Sequence, residues 1–251
     1  MTRIMPLSII STIATLLFLG PAGVAAQEPA LLVLNMGEAA GTRQVSTILQ
    51  IMMLLTVLSV APAILLMTTS FIRIVVVLSL LRQAMGTQQM PPNQIIIGLA
   101  MFLTFFIMSP VMTQINDNAL QPYLNEELGE DAALSAAIDP IRVFMFSHVR
   151  ENDLALMSEF SGNPSPESLD DIPTLTLIPA FMLSELKRAF TIGFMIFVPF
   201  LVIDMITASV LMTMGMLMLP PIIISLPFKV LLFVLVDGWH LVVGSLMQGF
   251  F

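Results

Sequence analysis

Long apolar runs, rather than alternation, set the pattern of this chain. Residues 45–72 carry no charge over 28 positions, about 42 Å of helix at ~1.5 Å per residue, more than a bilayer core of ~30 Å requires. Pro62 in the middle of that run predicts a kink. Arg73 interrupts it, and the apolar pattern resumes to Leu81. A polar turn follows over 82–93, ending in Met90-Pro91-Pro92, and a second apolar helix is predicted over 95–112, just long enough to span if upright. Residues 116–172 read as soluble, helix-like over 141–157 and breaker-rich over 161–171. Residues 180–202 are apolar again apart from Glu185, Lys187 and Arg188, and 222–251 are apolar apart from Pro227, Lys229 and Asp237. The pattern predicts an all-α, membrane-associated chain. It consists of a first kinked helical hairpin (45–115), an acidic, partly helical extracytoplasmic segment (116–178) and a second hairpin (179–251).

The second hairpin turns on a methionine-rich stretch. Met212, Met214, Met216 and Met218 fall within seven residues, split by Gly215 and closed by Pro220-Pro221. At ~100° per residue Met212 and Met216 point one way while Met214 and Met218 point nearly opposite. Gly215 weakens a helix, and the residue before Pro220 is pushed out of the α region, so the helix is predicted to end near Thr213. What remains, 215–219, is a short loop of unbranched, polarizable side chains suited to a deformable seal. Both hairpin tips place a double proline before an isoleucine run, Pro91-Pro92 before Ile95 and Pro220-Pro221 before Ile222, the mark of an internal repeat. Asp204, Lys229 and Asp237 interrupt the apolar runs; each costs ~2.5–3.5 kcal/mol near a bilayer centre, so all three are predicted as buried charges facing protein or water. Such segments suit packing against copies or partners better than against lipid.

Composition narrows the class. The 251 residues are 57% hydrophobic and 10% charged, with a mean hydropathy of +0.96, against roughly 25% charged in a soluble domain. Net charge is −8, and residues 117–171 alone hold twelve of the seventeen acids and a net −10. That acidity speaks against nucleic acid and against docking on anionic lipid. With no cysteine, disulfides and thiolate chemistry are excluded. Residues 1–26 read as a signal peptide, with Arg3, an apolar core and a small-residue end at Val24-Ala25-Ala26, cleaved before Gln27; 27–44 form a short, loosely ordered N-terminal segment. By parity the 82–93 and 215–221 tips then lie inside and the acidic segment outside. Arg73 and Arg82 obey the positive-inside rule; Lys187 and Arg188 do not, and are read as pairing with Glu185 or with acids of a neighbouring subunit.

Catalytic patterns are thin. Ser184-x-x-Lys187 fits a nucleophile motif without its companions, and His148 with Glu151 lacks a third metal ligand. No phosphate-binding glycine loop occurs. The chain reads as a non-enzyme without cofactor or metal. Asp204 and Asp237 are the candidates for ionic coupling, which keeps open a secondary transporter with a midplane ion site or a small homo-oligomeric ion channel.

Four stretches, 90–111 (MPPNQIIIGLAMFLTFFIMSPV), 179–205 (PAFMLSELKRAFTIGFMIFVPFLVIDM), 209–221 (SVLMTMGMLMLPP) and 226–239 (LPFKVLLFVLVDGW), together resemble the FliP family, core subunits of the flagellar type III protein export gate. The resemblance runs from about Val45 to the C-terminus. It implies five copies assembled with FliQ and FliR into a helical cone in the bacterial inner membrane, much of it on the periplasmic side, with FlhB associated and unfolded flagellar proteins as cargo. It implies that Met216, Leu217 and Met218 form the gasket closing the resting pore, supported by Met212, Met214, Gly215, Pro220 and Pro221. The family often has three consecutive methionines; this chain has leucine in the middle. Phe144, Met157, Glu185, Lys187 and Arg188 are the expected subunit-interface residues.

Overall fold

The computed structural model describes residues 42–87, 90–162, 168–216 and 219–251. The signal-peptide reading of 1–26, nearly all of the 27–44 segment, and Leu217 and Met218 lie outside the described residues. The chain forms two compact units, Met1–Thr56 and Val57–Phe251. Helix α1, Thr42–Met67, begins in the first and ends in the second, and most of its large apolar side chains from Leu49 onward are exposed.

α1 runs on through Pro62, where the sequence predicts a kink, and a break follows between Met67 and Phe71. There Thr68 Oγ1 donates to the Ile64 and Leu65 carbonyls (3.1 and 3.4 Å) and Thr69 Oγ1 to the Leu66 carbonyl (3.3 Å). Consecutive hydroxyls that bond back to the preceding turn compete with the helix ladder. α2, Phe71–Ala84, follows, and α3, Asn93–Ile115, leads through a π-helical turn, Asn116–Leu120, into α4, Gln121–Leu124. The helical rod is thus 32 residues rather than the marginal run predicted over 95–112. Its polar end does not stop it; the chain turns at Glu126, which is left-handed (φ 60°).

The acidic segment holds two helices, α5, Glu130–His148, and α6, Glu151–Phe160, where the sequence suggested helix-like pieces over 141–157. Val149 and Arg150 are extended between them. Arg150 gives its backbone N–H to Ser184 Oγ (3.0 Å) and its guanidinium to Asp153 (2.6–2.8 Å), so the breaking contact comes from elsewhere in the fold. Glu130 and Asp131 open α5, at the end of the helix dipole that favours negative charge. After a 3-10 turn, Leu169–Asp171, capped reciprocally by Ser168 and Asp171, α7 runs for 40 residues, Thr174–Thr213, through Pro179 and Pro199. α8, Pro221–Leu235, and α9, Gly238–Gln248, meet at a 63° bend.

α7 is the axis of the second unit. α2 lies along it so closely that a Cβ on Gly193 would fall 2.3 Å from Leu80 Cδ1. The main core joins α2 (Ile74, Val77, Leu78), α3 (Ala100, Ile107, Met108), α5 (Phe144, Met145), α7 (Leu177, Phe181, Ala189) and Leu246 of α9. A smaller core of Leu81, Ala84, Met85, Phe200 and Phe233 lies toward the tips. Large apolar side chains such as Phe102, Phe105, Phe194, Met195 and Met205 stay exposed. Residues 48–67, Asn93–Leu124 and Thr174–Thr213 are long and apolar enough to cross a membrane, and the bent α8–α9 pair is a fourth such span if taken together.

Candidate functional site

α7 ends where local chemistry makes it end. Gly215 is left-handed (φ +72°); its N–H donates to the Met212 carbonyl (3.1 Å) and the Met216 N–H to the Leu211 carbonyl (3.0 Å). This is the Schellman arrangement, which satisfies the last carbonyls of a helix and needs a residue without a Cβ penalty at the turn. Pro220, in an extended conformation, then launches α8 with Pro221 in its first turn. Between them Met214 is 67% and Met216 42% exposed. Both line an apolar groove of about 500 Å³ between α7 and α8, with Ile206, Val210, Leu211 and Phe228 among its walls. Met212 is exposed outside it. The tip therefore presents flexible thioethers on a fixed hinge.

The first tip is built the same way. Gly86 is left-handed (φ +76°), its N–H donates to the Gln83 carbonyl (3.0 Å), and Pro92 launches α3 from an extended conformation. In both tips a Met-Gly pair is followed by four residues and two prolines: Thr-Gln-Gln-Met in the first, Met-Leu-Met-Leu in the second. Here Thr87 Oγ1 donates to the Arg82 carbonyl (3.3 Å), the partner reached by a backbone N–H in the second tip. Arg82 braces this loop through Nη1 to the Pro91 carbonyl (3.1 Å) and Asn93 Oδ1 (2.6 Å). The repeat seen in six residues of sequence thus extends to the hinge geometry.

Beneath the tips lies an ionic clasp. Lys229 of α8, 4% exposed, donates from Nζ to Asp204 Oδ2 of α7 (2.6 Å) and to the Ala84 carbonyl at the end of α2 (3.4 Å). Ser225 Oγ donates to the other Asp204 oxygen (2.5 Å). A buried cation is held only when paired and hydrogen-bonded, and a helix C-terminus adds to the attraction. Two of the predicted buried charges are therefore each other's partners. The third is corrected: Asp237 is exposed, left-handed (φ 50°) at the α8–α9 corner. Aspartate tolerates that conformation.

A second ionic centre ties α2 to α7. Glu185, fully buried, accepts from Arg73 Nε (2.7 Å) and Nη2 (2.5 Å). Arg73 also donates to the Gly249 carbonyl (2.9 Å) and lies 3.7 Å from the Phe250 ring centroid. Arg73 is thus the nearer partner of Glu185; of the two expected partners, Arg188 also pairs with it, at 3.8 Å, and Lys187 is exposed. Phe144 is likewise inside the chain, packed edge-on to Phe181 and stacked with Phe250. Of the five predicted interface residues, Met157 and Arg188 are half-buried and Lys187 exposed, so only these three have surface to offer.

The weak catalytic motifs dissolve into packing. Ser184 Oγ donates to Asp153 (2.6 Å) and to the Ala180 carbonyl (2.9 Å), and Lys187 is exposed. Burial pushes the Asp153 carboxyl up, but hydrogen bonds from Ser184 and Arg150 and the Arg150 and Lys187 charges outweigh it, so it titrates below its ordinary value. His148 faces the Phe144 carbonyl rather than Glu151. Sequence reasoning missed Ser225, Gly86 with Thr87, and the Gly249-Phe250 contact; it read Arg73 as a topology signal, though a lone arginine in an apolar run itself demands an acid.

Comparison with known proteins bears on this architecture as a whole. Residues 54–246 match the FliP family. The chain is 56% identical over 217 residues to the Flagellar biosynthetic protein FliP of Bacillus subtilis (strain 168), covering 86% of this chain and 98% of that protein. It is 52% identical to the protein of that name from Caulobacter vibrioides, covering 86% and 81%, and 42% identical to that from Treponema pallidum, covering 92% and 88%. Similarity of this depth spans both hairpins and the segment between them, and the chain belongs to the FliP family.

Proposed function

We propose that this chain is the pore-forming subunit of the flagellar type III export gate in the bacterial inner membrane. Five copies assemble with FliQ and FliR, associate with FlhB, and pass unfolded flagellar proteins. The relatives' names supply the link to flagellar biosynthesis. The observation that carries the gate is the second tip: exposed Met214 and Met216 on a glycine hinge, with Leu217 and Met218 completing the loop in sequence. Five such loops around an axis supply ~15 apolar side chains at 216–218, and a dry apolar constriction blocks ions by dewetting. An arriving polypeptide displaces side chains that re-pack around many partners. Leu217 preserves apolarity and approximate volume, so the seal holds. The exposed apolar faces of α1, α3 and α7 support burial against neighbours and lipid. Met157, Lys187 and Arg188 contribute to contacts between copies, with much of the chain on the periplasmic side and residues 1–26 as a cleaved signal peptide.

The transporter reading has less support, because Asp204 is already engaged by Lys229 and Ser225 and Asp237 lies at an exposed corner. The native mass of the complex, extracted in mild detergent with its neighbours co-expressed, separates the two. The gate predicts five copies plus smaller hydrophobic partners; a lone monomer or dimer would return attention to Asp204 and Asp237.

A further inference from the structure

Between the first tip and the start of α8 lies a polar cavity that a methionine seal does not use. It encloses about 490 Å³ and is lined by Ser79, Arg82 and Gln83 of α2, Gly86 and Thr87 of the tip, and Ile222 of α8. No acid lines it. Of the arginines from Arg73 on, Arg73, Arg150 and Arg188 each have a carboxylate within 3.8 Å. Arg142 is spent on Thr174 Oγ1 and on the Leu169 and Ile172 carbonyls. Arg82 differs: among the described residues it bonds only through Nη1, to the Pro91 carbonyl and Asn93 Oδ1. Those two bonds fix the guanidinium and leave its Nε–Nη2 edge uncommitted, the fork that grips an oxyanion with two parallel hydrogen bonds.

The hydroxyls of the cavity ask for the opposite. Ser79 Oγ donates to the Val75 carbonyl (2.7 Å) and Thr87 Oγ1 to the Arg82 carbonyl (3.3 Å). A carbonyl has no hydrogen to give, so both hydroxyl hydrogens are spent and both oxygens can only accept. A ligand that satisfies the cavity therefore brings an oxyanion for Arg82 and a donor for Ser79 and Thr87. A carboxylate side chain brings the first without the second. A second copy of this chain is a poor source in any case. Twelve of its seventeen acids lie in 117–171, past the far end of α3. Glu185 and Asp204 are paired, and Asp237 sits at the other end of α8. Lys229 Nζ lies 3.9 Å from where a Cβ on Gly86 would stand, but Asp204 already answers its charge. The cavity also has an apolar flank, Ile222 and Ile223, both exposed. It opens where α3 and α8 begin their apolar runs, the level at which headgroups meet a spanning chain.

We propose that this cavity binds the headgroup of a membrane phospholipid. The phosphate sits on the Arg82 Nε–Nη2 edge, the ammonium or hydroxyl of the headgroup donates to Ser79 and Thr87, and an acyl chain follows Ile222 and Ile223. Phosphatidylethanolamine and phosphatidylglycerol meet both demands. Phosphatidylcholine has no N–H or O–H to give and meets only the first.

The detergent-extracted complex is exchanged into mixed micelles holding these three lipids in equal amounts and then washed. Retained lipid is counted by mass spectrometry per copy of this chain, so the reading does not depend on how many copies assemble. The parent should retain phosphatidylethanolamine or phosphatidylglycerol over phosphatidylcholine by about fivefold or more, the factor for one or two neutral hydrogen bonds. Arg82→Gln should lower that retention about tenfold, as loss of a charged fork requires. Asn93→Ala removes the same brace but spares the free edge, and should keep the lipid. Ser79→Ala, a change the helix tolerates, should narrow the preference over phosphatidylcholine about fivefold. Inorganic phosphate in the wash should leave the lipid in place. Equal retention of all three lipids, or retention indifferent to Arg82→Gln, would overturn the proposal. So would equal loss in Asn93→Ala, which reduces Arg82 to a loop brace, or displacement by phosphate, which reduces the cavity to an anion site. Loss of a partner subunit instead of lipid in Arg82→Gln would give the cavity to a protein carboxylate and also overturn it. Should Arg82→Gln fail to assemble, the Ser79→Ala preference decides alone.

Discussion

Removing one member of the Arg73–Glu185 pair should cost far more than removing both. Arg73 is 2% exposed and the Glu185 side chain fully buried, with two charged hydrogen bonds between helices whose partners lie 112 residues apart. Glu185→Ala leaves a guanidinium in the core with only the Gly249 carbonyl and the Phe250 ring for company. An unpaired buried charge costs about 3–5 kcal/mol, whereas replacing both partners with apolar groups of similar size is often neutral. For a chain of this size ~1 kcal/mol moves Tm by about 2–4 °C, so the single change should lower it by roughly 6–20 °C. The Arg73→Met, Glu185→Met double variant should recover most of that loss. Thermal unfolding of the purified complex at one detergent concentration measures it, for the parent, Glu185→Ala, and the cycle of Arg73→Met, Glu185→Met and their double variant. If Glu185→Ala costs under about 1 kcal/mol, or the double variant is as unstable as the sum of the singles, then this centre does not hold α2 to α7 by charge pairing.

Three shorter predictions share the same logic. Gly215→Ala places a Cβ in the left-handed region and should cost about 1–2 kcal/mol at the hinge, seen as a raised leak through the resting complex with assembly unchanged. Lys229→Met should destabilise the complex more than Lys229→Met with Asp204→Asn, because the second change removes the stranded carboxylate; denaturant titration of both variants checks this. Asp153 titrates below its ordinary value, so its share of stability is complete above about pH 4 and is lost as pH falls further. Between pH 5 and 3 the drop in Tm should therefore be smaller for Asp153→Asn.

Features governed by neighbouring residues were legible in the sequence. Gly215 and the two prolines determine where α7 stops and α8 starts, since left-handed backbone and the pre-proline restriction act within a few residues. The double-proline tips revealed the repeat for the same reason. The break at Thr68–Ser70 was hidden because three uncharged residues inside an apolar run look continuous with it, while the Thr68 and Thr69 hydroxyls bond backwards. The split at Val149–Arg150 depends on Ser184, which arrives from α7. Charge pairing was half legible. Asp204 and Lys229 stood out because apolar runs penalise them, but the rule that marks a charge as buried assumes depth, and Asp237 sits at a corner. Glu185 was read against its sequence neighbours, where the structure pairs it with Arg73 from the other hairpin. No local signal marks a partner at such a distance.

The gate itself is tested most directly by the ion conductance of the resting complex in planar bilayers, with and without residues 216–218. Intact loops should keep the complex closed, and their deletion from assembled complexes of unchanged mass should open a steady leak. A deletion complex as tight as the parent would place the seal elsewhere and contradict the account.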